Sequence, residues 1–116
     1  MRVSLGAVVL AACIGAEFGS ASGTEMSHAG IVVHIKDFKY APTPVKVHVG
    51  DTVSFVNDDA EAHTITASDK AFDSEGLDSS GTWKHTFAKP GTFAYFCELH
   101  PYMKGTIVVL PAVKTQ

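Results

Sequence analysis

The residues with the most chemical potential lie together near the C-terminus, in Cys97-Glu98-Leu99-His100-Pro101-Tyr102-Met103. A thiol, an imidazole and a thioether follow one another at intervals of three. Soft sulfur donors combined with imidazole suit copper, which is stable in such a set both as Cu(I) and as Cu(II). Two histidines and a cysteine in a plane, with a weak axial methionine, form an electron-transfer arrangement. The second histidine must come from another part of the chain. His63, which follows a polar stretch at 57–62 and opens an apolar one, is the best placed. Zinc is the rival ion, but a thioether is a poor zinc ligand, so copper is favoured.

Cysteine usage supports this reading. The chain has two cysteines, Cys13 and Cys97, and Cys13 lies in the N-terminal apolar segment. The folded part therefore has one thiol and no disulfide framework, although the N-terminus looks like an export signal. A lone thiol in an oxidising compartment calls for an occupant. Taken singly, Cys97 and Met103 would read as core residues and His100 as a turn residue. Their joint spacing points to a metal.

The elements that must hold these ligands read as strands. Residues 31–36, 38–41, 45–49, 52–56, 63–67, 82–87, 92–96 and 105–110 are rich in β-branched and aromatic types, several in strict alternation. Gly50-Asp51 and Pro90-Gly91 mark turns, and 57–62 and 68–81 read as loops. Seven or eight short strands without a convincing helix predict an all-β sandwich with antiparallel pairing. Cys97 then stands at the end of one strong strand, just before another.

The first 22 residues read as a signal peptide. Arg2 supplies the positive start, an apolar run follows, and small residues end it, with cleavage expected after Ala21 or Ser22. The alternative is a lipoprotein signal ending before Cys13, which would be lipidated. Residues 23–30 are a small, polar lead-in, and 31–116 are the domain. At 116 residues the chain holds one domain, and its net charge of −3 without long charged runs gives no footprint for nucleic acid or an anionic membrane. Membrane attachment would depend on Cys13 alone, and a monomer is expected.

Beyond composition and spacing, Asn57, His63 and the Cys-x-x-His-x-x-Met motif together resemble the cupredoxins, the type 1 blue copper family. The short interval between His100 and Met103 is similar to that of the amicyanins, whereas plastocyanins and pseudoazurins place more residues there. The resemblance extends over 31–110 and includes Gly50-Asp51-Thr52-Val53, Phe72-Asp73-Ser74 and Pro90-Gly91. It implies an eight-stranded Greek-key sandwich with one copper ion held by His63, Cys97, His100 and Met103. It also implies a periplasmic or otherwise exported bacterial electron carrier. Its redox partners would dock transiently over an apolar surface near His100, Pro101 and Tyr102. A copper carrier or storage protein is the alternative. An oxidase or reductase would need a further metal with an open position, and the other histidines do not cluster, so an enzyme is not expected.

Two positions depart from the family pattern. Thr64 stands where many cupredoxins carry Asn directly after the first histidine ligand, tying the two ligand loops together. Ala62 stands where Pro is common. Asp58, Asp59 and Glu61 read as a solvated loop run. His34 and His48 read as structural or surface histidines. His85 shares the alternation of Trp83 and Phe87, so it is expected to point inward and to need a hydrogen-bond partner.

Overall fold

The computed structural model describes residues 30–113. The expected signal peptide, Cys13 and most of the lead-in lie outside the described residues. Within them there are eight strands and no helix: β1 (Ile31–Lys36), β2 (Lys39–Ala41), β3 (Val45–His48), β4 (Thr52–Asn57), β5 (Thr66–Ala67), β6 (Thr82–Thr86), β7 (Gly91–Phe96) and β8 (Lys104–Leu110). They form two four-stranded sheets, ordered β2-β1-β4-β6 and β3-β8-β7-β5.

The alternation seen in the sequence is the alternation of burial. A pleated strand turns successive side chains to opposite faces. Val33 and Ile35 of β1 and Val53 and Phe55 of β4 are therefore fully buried, while their neighbours are exposed or half-buried. The second sheet answers with Val47, Tyr95, Ile107 and Val109, and the two inner faces make one core.

Pairing direction differs from expectation. β1 runs parallel to β4, with Ile31 opposite Val53, and β3 runs parallel to β8, with Val45 opposite Ile107; the remaining ladders are antiparallel. Periodicity reports which face of a strand is buried, and carries no signal for the direction of its neighbour. The chain leaves the first sheet after β2, forms β3 in the second, and returns as β4. The return brings β4 alongside β1 in the same direction.

The strand expected over 63–67 is also shorter. His63 makes only an isolated bridge to Leu77, with N–H to C=O bonds of 3.1 and 2.8 Å, and regular pairing begins at Thr66. The turn between β3 and β4 has Gly50 at φ 100°, in the region that favours glycine, and Asp51 caps it through a 2.8 Å bond from the His48 N–H to Oδ2.

Candidate metal centre

The loop from Cys97 to Met103 is built of two consecutive turns. The His100 N–H donates to the Cys97 carbonyl (3.1 Å), and the Met103 N–H donates to the His100 carbonyl (2.8 Å). A third bond, from the Cys97 N–H to the Met103 carbonyl (3.1 Å), closes the loop at its neck, where β7 and β8 separate. Residues three apart across such turns share one side. The spacing of the motif is thus the spacing the backbone needs.

His63 arrives from the other sheet connection. Asn57, fully buried at the end of β4, organises the loop that delivers it. Its Nδ2 donates to the carbonyls of Glu61 (2.8 Å) and Leu77 (2.9 Å), and its Oδ1 accepts the Asp59 N–H (2.9 Å).

The imidazoles of His63 and His100 meet the Cys97 sulfur here. Sγ lies 3.8 Å from Nδ1 of His63 and 3.6 Å from Nδ1 of His100. The donor atoms of all three residues lie within 4.8 Å of one another. Metal bonds of about 2.0–2.3 Å at trigonal angles put neighbouring donors about 3.5–3.8 Å apart. The observed spacing therefore fits one ion shared by the three. Cys97 and His63 are fully buried and His100 is half-buried. Met103, whose carbonyl forms the loop neck, is buried at 2% exposure.

Four further side chains shape the site. Nε2 of His63 lies 2.8 Å from Oδ2 of Asp59. An ionised carboxylate can only accept, so Nε2 carries the proton and Nδ1 keeps its lone pair for the sulfur side. The same carboxylate accepts the N–H groups of Asp37 (2.7 Å) and Phe38 (2.9 Å). Burial works to raise the Asp59 carboxyl, but the bonds from Phe38, Asp37 and His63 outweigh it and hold it below the ordinary range. Asp37 and Phe38 adopt φ of 53° and 59°, unusual for residues with side chains, and their bonds to Asp59 hold them there. In that conformation Phe38 sets its ring perpendicular to both imidazoles, with centroids 5.1 Å from His63 and 4.8 Å from His100.

Thr64 grips Cys97 from two sides. Its N–H points at Sγ (3.3 Å), and its Oγ1 accepts the Glu98 N–H (2.8 Å). Threonine thus performs the loop-tying task that the family pattern gives to Asn. Tyr40, buried below, donates its hydroxyl to the Thr64 carbonyl.

The structure corrects the reading of Asp59 as a solvated residue: it is 6% exposed and saturated with bonds, while Asp58 and Glu61 are exposed. Asp58 accepts a bond from exposed His34 (2.7 Å). The only local hint was an acid four residues before a candidate ligand. His85 does turn inward but is half-buried, and aromatic rings pack against it in place of the expected hydrogen-bond partner. It stacks on Trp83 at 5.4 Å and lies between Phe72 and Phe87.

A family model described as a cupredoxin-like domain matches residues 5–109 of this chain. The chain belongs to the cupredoxin family. Among curated cupredoxins, the amicyanin of Paracoccus denitrificans is 30% identical over 120 residues, covering 86% of this chain and 92% of that protein. A solved oxidised amicyanin variant is 34% identical with a TM-score of 0.64, covering 73% of this chain and 86% of that one. A reduced Cu(I) amicyanin variant gives a TM-score of 0.63 at the same identity and coverage. A purple cupredoxin from Nitrosopumilus maritimus reaches a TM-score of 0.65 at 27% identity, covering 68% of this chain and 98% of that one.

Proposed function

We propose that this cupredoxin is a type 1 copper protein that carries single electrons, and that His63, Cys97, His100 and Met103 would hold the ion. The observation that carries the reading is the convergence of one thiol and two imidazole Nδ1 atoms at 3.6 and 3.8 Å, from two segments of the chain. The likeness to amicyanins with solved oxidised and Cu(I) forms supports it. When bound, copper supplies a one-electron couple whose two states accept the same donors.

The protein's own residues keep that geometry constant. Cys97 is held by the Thr64 N–H and by the loop neck, His63 by Asp59, and both imidazoles by Phe38. A site fixed in this way has little to rearrange between oxidation states. The same rigidity favours a shuttle over a copper carrier or storage protein, which must release its ion.

Electrons would enter and leave at His100, which alone of the three converging residues is not fully buried. Around it Leu99 (56% exposed), Tyr102 (69% exposed) and Pro101 present an apolar surface suited to a small, transient interface with a redox protein. In this reading the protein works as a monomer outside the cytoplasm, in the bacterial periplasm, after removal of residues 1–22 or with Cys13 lipidated. Cell fractionation and mass analysis of the mature N-terminus test that part.

The metal assignment is tested by adding Cu(II) to purified apoprotein. An intense absorption near ~600 nm that bleaches reversibly on reduction is expected, and its absence from Cys97→Ala ties it to the thiolate. A colourless product from the unmodified chain overturns the reading.

A further inference from the structure

A hydroxyl group both donates and accepts, so the bond from the Glu98 N–H to Thr64 Oγ1 is secure only if the Thr64 proton is directed elsewhere. The surroundings of Thr64 provide the destination. Its Oγ1 lies 2.9 Å from Oγ1 of Thr66, which in turn lies 3.1 Å from Oδ1 of Asp73. An ionised carboxylate has no proton to give, so Thr66 donates to Asp73. Thr66 has then spent its single proton, and Thr64 must donate to Thr66. The lone pairs of Thr64 are left facing Glu98. The chain of bonds therefore has one direction, from the Glu98 N–H through two buried hydroxyls to an exposed carboxylate.

Asp73 is built into place. Its Oδ1 also accepts the Glu75 N–H (2.8 Å), and Asp73 forms an isolated bridge with Thr66. The flanking bonds, Ala67 N–H to the Phe72 carbonyl (2.9 Å) and Ser74 N–H to the Ile65 carbonyl (3.0 Å), fix the loop against β5. The side chain lies outside the ligand set and touches none of its members in the hydrogen-bond network.

We propose that Asp73 is a remote positioning residue for the metal site: through Thr66 it orients the Thr64 hydroxyl, which locks the Cys97–Glu98 peptide and with it the thiolate. The relay completes what threonine alone lacks relative to the more usual Asn, whose amide oxygen is an acceptor without needing a directed proton. Its effect on reduction potential rests on the copper reading above. Its effect on the Glu98 amide does not.

The test is amide hydrogen exchange by NMR on the full apoprotein. Asp73→Ala and Thr66→Val should each speed exchange at Glu98 by roughly fivefold to tenfold, the weight of one hydrogen bond. The double variant should exchange no faster than Thr66→Val alone, because both changes break one chain. Asp73→Asn keeps an acceptor oxygen and should leave Glu98 protected. The Ala67 and Ser74 amides report on the loop and should stay protected; if Asp73→Ala exposes them, Thr66→Val decides alone. In the copper-loaded protein the potential should move in the same non-additive pattern, whereas Glu75→Gln, a neighbouring charge outside the relay, should not reproduce it. Unchanged Glu98 exchange in Thr66→Val, or an Asp73→Ala effect undiminished in the Thr66→Val background, overturns the proposal. A protein that stays colourless with copper yet shows the Glu98 pattern would sink the redox reading and leave the relay standing.

Discussion

Nε2 of His63 and Oδ2 of Asp59 lie 2.8 Å apart, and both groups are buried. The bond sets which imidazole nitrogen is free to bind a metal, and it draws the β1–β2 turn onto the site through the N–H groups of Asp37 and Phe38. One carboxylate thus aligns a candidate ligand and seats the ring that packs against it.

Replacing this carboxylate should weaken the metal site. In Asp59→Asn the amide nitrogen opposes one of the donors it must face, and copper affinity is expected to fall by about 10–100-fold, as for other partners of metal-bound histidines. Competition with a chelator of known affinity measures it. The acid behaviour of the apoprotein should change as well. Because the folded Asp59 carboxyl sits below its ordinary value, its contribution is complete above about pH 4. It is lost as pH falls through the folded value. Urea midpoints across the acid range should fall less steeply in Asp59→Asn than in the unmodified chain.

Phe38 packs perpendicular to both imidazoles. Phe38→Ala removes that wall and admits water to His100, so a chelator should strip copper several-fold faster while the strands stay intact. Stopped-flow loss of the blue absorption gives the rate. An unchanged rate would mean that the ligand loop alone excludes solvent.

A side chain at position 105 would collide with Tyr95. Gly105 faces the buried Tyr95 ring on the paired strand, and an added Cβ would overlap its Cζ and hydroxyl oxygen. Tyr95 is packed between Tyr40 and Phe55, with centroids at 4.7 and 5.6 Å, and cannot yield. Gly105→Ala should cost about 3 kcal/mol by overpacking, read from the urea midpoint. Tyr95→Leu in the same chain should recover part of the loss.

His85 should give a second, milder pH dependence. Burial among Trp83, Phe72 and Phe87 lowers its pKa, so the fold prefers the neutral ring. The unfolded chain binds that proton first, near pH 6.5, so this contribution is complete above that value and declines as pH falls toward the folded pKa. His85→Phe should remove the decline that begins below about pH 6.5, above the onset of the Asp59 effect. Difference curves of stability against pH for the variant and the unmodified protein isolate it.

The strands, their inward faces and the turns of the Cys97–Met103 loop were legible in the chain because each is a local property. A pleat repeats every two residues, so the alternation at 45–48 and 52–57 states which side is buried. Cys97, His100 and Met103 are joined by turns that span three residues, so their spacing already contains the path of the backbone between them. Tertiary structure alone decided the rest. The parallel course of β1 beside β4, the burial of Asp59 under a turn 21 residues away, and the grip of Thr64 on Glu98 34 residues on all join segments remote in sequence. A contact between such segments leaves no period or motif in either one. It exists only when the two sheets have closed and burial has made an unpaired carboxylate or hydroxyl too costly to leave without a partner.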